Sequence, residues 1–512
     1  MNGSPTQKPT AGSLRELMVV AIPLIFSAGS MMLMHFIDRM YLTWYSSSAL
    51  AASLPASMLN WSTSAIAFGT VAYVNSFVSQ YDGANRPDRI SRAIWQSIYL
   101  GILIIAATIP FVAVAWAMIP LFGHAPEVIQ FEQQYYLLLC MASVPMIFKT
   151  GLSAFYSGRG ETGVILKVNL VMVAINAVLD PLMIYGAGPV PEMGIMGAGI
   201  ATIITSLAGA VCYLYLLCRP REREVYRFWH ERAWDSELIR RMLRYGLPSG
   251  FQTLGDAGAF TLFLFLVGRL SESALAATNL AFNLNMLVFI PMLGVGTAVT
   301  ILVGRHIGEG RADLAARSTW LAMIGTGSLV LVCCSAYILA PWHLLEPFRR
   351  YADPEEFAKI EPLVLQILKY VAIYSLFDAM LVVFGSAIRS AGDTRVSLLV
   401  NMFSAWFLMV IPVAVMEFYG VLTLERCWYA CTANLVVGGF IFLLRFQYGP
   451  WREMTVIELE ESIPSHILTS TTEILNGNTS QTFTNLDEHE TVNGNIKNLR
   501  DEMGSSARTS AP

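Results

Sequence analysis

The stretch SSSALAASLPASMLNWSTSAIAFGTVAYVNSFVSQYDGANRPDRISRAIW, residues 46–95, decides the fold of this chain, because a second copy follows 225 positions later at residues 271–320. The two copies align without a gap and are identical at 17 of 50 positions. The identical residues of the first copy are Ser46, Ser48, Ala49, Leu50, Ala51, Ala52, Ala56, Leu59, Asn60, Gly69, Val74, Val78, Gly83, Arg86, Asp88, Arg92 and Trp95. Further along, Gly160 and Thr162 match Gly392 and Thr394 at an offset of 232. The chain therefore consists of two related halves.

Apolar sequence dominates both halves. The 512 residues are 55% hydrophobic and only 14% charged, whereas about a quarter of the residues of soluble domains are charged. Twelve segments are long enough to cross about 30 Å of hydrocarbon. The predicted spans are 14–43, 49–80, 91–120, 128–158, 164–185, 194–218, 237–268, 273–304, 314–342, 359–388, 395–416 and 424–447. The predicted fold class is an all-α integral membrane protein, with twelve transmembrane helices in two pseudo-symmetric six-helix lobes.

The two halves and their flanking segments define the predicted domains. These are a cytoplasmic N-terminus (1–13), an N-terminal lobe (14–218), a basic cytoplasmic linker (219–236), a C-terminal lobe (237–447) and a disordered cytoplasmic tail (448–512). Because six is an even number, the lobes run in the same direction across the membrane, with a site between or within them. Lys and Arg concentrate on the side of both termini, so the positive-inside rule predicts cytoplasmic termini in a plasma membrane, or the inner membrane of a Gram-negative cell.

Four polar side chains are predicted at similar depth in the N-terminal lobe. Asp38 lies near the end of the first span, Asn176 and Asp180 lie one turn apart in the fifth, and Thr202 lies in the sixth. Charged groups at membrane depth are costly and are functional candidates. Their oxygens suit Na⁺ or a shared proton. Two structural alternatives stay open: Asn176 and Thr202 could hydrogen-bond between helices, and Asp38 could pair with Arg39.

The C-terminal lobe carries two acids of its own, Asp256 in the seventh span and Asp378 in the tenth. Neither occupies a position that the repeat pairs with an N-lobe acid, so the halves share a scaffold but differ in chemistry. No basic residue is an obvious partner for either acid in the sequence, although Lys149 and Lys369 are possible partners that the sequence alone does not place. Pro23 would kink the first helix and is a candidate hinge.

Other classes of function find little support in the sequence. A formal net charge of −4 argues against nucleic acid as a partner. The seven cysteines lack the spacing of metal sites, and neither a resident cofactor nor a metal beyond a possible Na⁺ at the N-lobe site is predicted. No catalytic motif such as HExxH or GxSxG stands at membrane depth, so an integral membrane enzyme is the least favoured alternative.

Several of these motifs together resemble the multidrug and toxic compound extrusion (MATE) family of secondary transporters, across roughly residues 14–447. In the N-terminal half they are Phe36-Ile-Asp38, the stretch from Gly160 to Asp180-Pro and the glycine-rich segment before Thr202. In the C-terminal half they are Gly246-Leu-Pro248 followed by Asp256, Val303-Gly-Arg, and Phe377-Asp378 leading to Arg389-Ser-Ala-Gly-Asp-Thr394. Where the family's C-lobe site is best known, the position of Asp256 is Glu, which favours the N-lobe acids as the coupling site here.

The resemblance implies a fold and a mechanism. The expected fold is a V-shaped pair of six-helix bundles that alternates between outward-open and inward-open states. The expected activity is export of small cationic or aromatic organic compounds by a monomer in the lipid bilayer, in exchange for Na⁺ or H⁺. By position, Asp38, Asn176, Asp180 and Thr202 resemble the family's N-lobe cation site, and Asp256 and Asp378 its C-lobe acidic site. A lipid-linked precursor flippase of the same superfamily is the alternative, and it would need a more basic central cavity.

Overall fold

The structure is a computed structural model that describes residues 10–186, 188–350 and 354–458. Its α-helices are α1 (Leu14–Tyr45), α2 (Ser47–Ala72), α3 (Val74–Gly83), α4 (Pro87–Met118), α5 (Pro126–Ser157), α6 (Thr162–Ile184), α7 (Ile195–Leu217), α8 (Pro220–Tyr226), α9 (Ser236–Gly268), α10 (Glu272–Gly308), α11 (Ala312–Leu339), α12 (Pro341–Arg349), α13 (Pro354–Ala391), α14 (Thr394–Met402), α15 (Ile411–Phe418) and α16 (Leu424–Tyr448). Short 3₁₀ turns cover Ile119–Phe122 and Pro450–Glu453, and a π-helix over Phe403–Val410 joins α14 to α15.

The membrane-spanning architecture agrees with the predicted all-α fold. Eleven helical segments within the described residues are long and apolar enough to cross a membrane. The predicted second span differs, because its backbone ladder breaks at Tyr73 and divides it into α2 and α3. Its counterpart α10 is continuous over the same length of sequence, so the two lobes are not identical in backbone.

The sequence repeat is visible in the local structure. Ser46 caps α2 by accepting from the Ala49 backbone N–H, and Ser271 caps α10 in the same way, as hydroxyl side chains at helix starts commonly do. The turns that follow these helices also correspond. Asn85 and Gly310, 225 positions apart, both adopt positive φ angles, of 55° and 73°. The identical residues of the repeat therefore mark equivalent helix boundaries.

The two lobes meet at one end of the bundle. We call the end where α1 begins and α16 ends the basic end, and the other the far end. Two core clusters of the basic half contain residues of both lobes: α1 packs against α10, α11, α13 and α16, and α3 packs against the start of α9. In the far half, each core cluster of the described residues draws on one lobe alone. The molecule is thus closed at the basic end.

The segment after α16 corrects the predicted start of the disordered tail. Residues 448–457 belong to the predicted tail, yet Trp451, Val456 and Ile457 are all at most 5% exposed. These apolar side chains lie within a polar stretch, and their burial orders the backbone around them. Residues 459–512, the rest of the predicted tail, lie outside the described residues, as do residues 1–9.

Candidate functional site

A buried polar group lies between α1 and α6 in the N-terminal lobe. Asp38 on α1 is 7% exposed, and Asn176 and Asp180 on α6 are fully buried. The Asn176 Nδ2 atom donates to Asp180 Oδ1 at 3.1 Å, and the carboxyl groups of Asp38 and Asp180 lie within hydrogen-bonding reach of each other. Tyr135 on α5 is buried nearby and lies in the electrostatic field of both acids. The structure thus brings together three of the four predicted N-lobe residues.

One oxygen of each of these three side chains is buried without a hydrogen-bond partner among the described residues: Asp38 Oδ1, Asn176 Oδ1 and Asp180 Oδ2. Such atoms are rare in folded proteins because an unmet hydrogen bond is costly. Two carboxylates in contact also repel each other unless a proton or a cation is shared between them. No group of three or more His, Cys, Asp or Glu side chains that could hold a metal ion occurs in the described part of the chain. The oxygen-only donor set suits Na⁺ or a proton.

The remaining N-lobe predictions have different outcomes. Asp38 lies 3.8 Å from His35 Nδ1, and within the described residues it makes no ion pair with Arg39, so that structural alternative is not formed. Thr202 is half-buried, and its hydroxyl donates to the Ala198 carbonyl of its own helix at 2.9 Å. Among the described contacts, no hydrogen bond joins Thr202 to the carboxylates, although its oxygen retains acceptor capacity.

Pro23 lies in a part of α1 that contacts both lobes. Val20 before it and Leu24 after it belong to a core cluster with helices of the C-terminal lobe. After it, Ser27 accepts a hydrogen bond from Asn169 Nδ2 on α6, at 2.6 Å, within the N-terminal lobe. Proline removes a backbone donor and weakens the helix at this point. The hinge at Pro23 stays a prediction, because α1 packs against the C-terminal lobe on both sides of the proline.

The two C-lobe acids lie in separate surroundings. Asp256 on α9 is solvent-exposed. Gln252 hydrogen-bonds to it, and the Arg389 guanidinium, which the sequence alone does not indicate as a partner, lies in electrostatic range. Asp378 is 8% exposed and lies near Tyr374. Within the described residues it has no hydrogen bond or ion pair. No described contact joins the two acids.

Ion pairs close the basic end between the lobes. Arg305 at the end of α10 donates from Nε at 3.0 Å and from Nη2 at 2.8 Å to Asp82 Oδ2 on α3. The neighbouring His306 is fully buried, and its Nε2 lies 3.6 Å from Glu16 Oε2 at the start of α1. Two successive residues of α10 therefore contact acids on two different helices of the N-terminal half.

Reciprocal glycine contacts bring the same helices together. A Cβ atom at Gly83 would overlap the Arg305 carbonyl oxygen, and one at Gly308 would overlap the Gln80 carbonyl oxygen. Gly83 and Gly308 are repeat partners, 225 positions apart, and so are Gln80 and Arg305. The contact is thus nearly self-complementary about the pseudo-two-fold axis. Sequence reasoning missed this closure, although the identity of the two glycines in the repeat was a signal for it.

Comparison with known proteins agrees with the two-lobe fold. A family model described as MatE matches residues 23–182 and 248–416, which is more than half of the chain and includes both lobes. Three similar proteins, each named probable multidrug resistance protein NorM, come from Xanthomonas campestris, Pseudomonas putida and Thermotoga maritima. The Xanthomonas protein is 26% identical, over 79% of this chain and 88% of the relative. The Pseudomonas protein is 28% identical, over 77% and 85%, and the Thermotoga protein is 24% identical, over 87% and 95%.

Solved structures show the same architecture. An outward-facing multidrug resistance MATE transporter of the MOP superfamily has a TM-score of 0.77 at 18% identity, and the match covers 87% of this chain and 98% of that one. A MOP superfamily transporter from Pyrococcus furiosus, for which reverse polarity of the binding pocket suggests a different function, has a TM-score of 0.76 at 19% identity with the same coverage. With both halves matched by the MatE family model and the fold shared along most of its length, this chain belongs to the MATE family of membrane transporters.

Proposed function

We propose that this chain is a multidrug exporter that exchanges small organic cations for Na⁺ or H⁺, in a plasma membrane with its basic end at the cytoplasm. The observation that carries the proposal is the buried contact of Asp38 with Asp180, in a group where three side-chain oxygens have no hydrogen-bond partner among the described residues. The relatives named multidrug resistance protein support the substrate class.

The coupling cation would act first on α1. A cation or proton that enters from the far end between Asp38 and Asp180 removes their mutual repulsion and draws the far half of α1 toward α6. The basic half of α1 is held by the other lobe, so movement of the far half bends the helix at Pro23. Substrate and cation then weaken each other's binding. Exchange requires such a reciprocal coupling free energy between the two sites.

The C-lobe acids would attract the substrate. Asp256 offers an exposed carboxylate, and Asp378 offers a buried one without a hydrogen-bonding or ion-pairing partner among the described residues. A flat organic cation could be held by such carboxylates and by aromatic faces. Arg389 near Asp256 limits the negative charge at that point, which would favour substrates that carry a single positive charge.

The alternative function is a lipid-linked precursor flippase of the same superfamily. The fold matches a transporter whose reverse-polarity binding pocket suggests a different function almost as well as it matches the multidrug transporter, with TM-scores of 0.76 and 0.77. Fold alone therefore does not separate the two functions. The paired N-lobe carboxylates favour cation coupling.

The test is gradient-driven uptake of a fluorescent aromatic cation into everted membrane vesicles. Imposed Na⁺ and H⁺ gradients are compared for the native chain, Asp38→Asn and Asp180→Asn. Asp88→Asn is the matched control, because Asp88 is an exposed acid at the start of α4. We expect one gradient to drive uptake in the native chain and the control, and neither to do so in the two N-lobe variants. Uptake that persists in both variants would refute the coupling site. If the native chain takes up no cation but restores function in a rescue assay with a lipid-linked precursor as substrate, the flippase is favoured.

A further inference from the structure

The segment that follows the last helix, residues 449–457, crosses from one lobe to the other, and we call it the strap. Its first part is anchored to the C-terminal lobe. Trp451 is fully buried and stacks on Phe446 of α16, with ring centroids 4.8 Å apart and planes 13° apart. The Trp451 Nε1 atom also donates to the Phe446 carbonyl at 2.7 Å. The strap therefore leaves α16 as a packed extension of that lobe.

The second part of the strap docks on the N-terminal lobe. Thr455 Oγ1 donates to Gln80 Oε1 on α3 at 2.8 Å, and the Val456 backbone N–H donates to the same oxygen at 2.9 Å. Val456 and Ile457 are 1% and 5% exposed. Both belong to the core cluster that contains Phe77 and other residues of α3. The contact combines two hydrogen bonds with two buried aliphatic side chains.

Gln80 connects the strap to the lobe closure. Its side chain is fully buried, and while Oε1 accepts from the strap, Nε2 donates to the Ser390 carbonyl of α13 at 2.9 Å. Ser390 in turn donates from Oγ to the Thr300 carbonyl of α10 at 2.6 Å. One amide thus joins α3 to both the strap and the C-terminal lobe, so the strap and the closure share a residue.

We propose that the strap is a latch that stabilises the state closed at the basic end. Opening that end requires α3 to separate from α10 and α13, and the strap, anchored through Trp451, must then leave α3. Both hydrogen bonds to Gln80 break, and Val456 and Ile457 lose their packing against α3. The latch acts on the equilibrium between the states that are closed and open at the basic end. The proposal does not depend on which substrate or coupling ion the chain uses.

The test is a distance measurement on the full-length chain. Spin labels are placed at Asp88 and Asp313, which are exposed repeat partners at the basic ends of α4 and α11. A ketone-bearing amino acid carries the labels, so the native cysteines remain. Val456→Asp places a charge in the core cluster that Val456 shares with α3 and the start of α9, and Thr455→Val removes one donor to Gln80. Glu453→Gln is the control, because Glu453 is exposed within the strap.

We expect the population with the longer label distance to rise about tenfold in Val456→Asp, severalfold in Thr455→Val, and not at all in Glu453→Gln. Thermal unfolding and size-exclusion profiles establish that each variant is folded. Distance distributions in Val456→Asp that match the native chain would overturn the latch. If Val456→Asp does not fold, Thr455→Val decides, and an unchanged distribution in that variant overturns it equally.

Discussion

Substitution of Gly308 by alanine should open the basic end. A Cβ atom at this position overlaps the Gln80 carbonyl oxygen of the facing helix, so α10 and α3 must move apart. Overpacking of this kind costs about 1–3 kcal/mol. If the cost falls on the closed state alone, it shifts the lobe equilibrium by about fivefold to a hundredfold, at 1.4 kcal/mol for each factor of ten. The gain in helix propensity from glycine to alanine is common to both states.

The Asp88 and Asp313 spin labels measure this shift directly. We expect the longer distance to gain population in Gly308→Ala and, because the contact is reciprocal, in Gly83→Ala. Gly163→Ala is the matched control, since Gly163 is also helical, lies at the basic end of α6 and has no described atom within 4 Å of the added Cβ. A native distance distribution in both interface variants, with unchanged thermal stability, would refute the packing argument.

Three further substitutions test other parts of the account. Arg305→Gln removes the partner of Asp82. Because both side chains are about a quarter exposed, we expect the spin labels to show a shift of only about twofold to fivefold toward the open basic end. A shift as large as that of Gly308→Ala would contradict this. Lys149→Met replaces a lysine that is 8% exposed and has no ion pair among the described residues. Thermal unfolding should therefore show a free energy of unfolding that is about 1–3 kcal/mol higher. A lower free energy of unfolding would indicate a partner or function for the charge. Pro23→Ala should reduce gradient-driven uptake without lowering the unfolding temperature; full uptake would exclude a hinge there.

The sequence predicts the scaffold well because membrane-spanning helices obey one dominant constraint. Apolar length locates the spans, and the repeat places equivalent helix starts, as Ser46 and Ser271 show. The break at Tyr73 could not be predicted, since the apolar pattern runs through it without a turn residue. Composition predicts a tail that starts too early because it averages over a window, whereas the single side chain Trp451 is enough to anchor the strap.

The candidate site could be predicted where two residues lie on the same helix or at a similar depth in the membrane, because either condition brings their side chains close together. Asn176 and Asp180 are one turn apart on α6, and counting residues from the span ends placed Asp38 at their level. Contacts between lobes were beyond such counting. Gly83 and Gly308 are recognisable in the sequence as identical positions of the repeat, but the close helix approach that they permit depends on how the lobes are oriented.

The most direct test of the central claim is the linkage between cation and substrate in the purified protein. The Kd of a fluorescent organic cation is measured at low and high Na⁺ and at acidic and alkaline pH, for the native chain, Asp180→Asn and the Asp88→Asn control. We predict that one of the two ions weakens binding by at least about fivefold in the native chain and the control, and that Asp180→Asn abolishes this dependence. A native chain indifferent to both ions, or the same dependence in Asp180→Asn, would contradict the proposal that the Asp38 and Asp180 pair couples the cation to export.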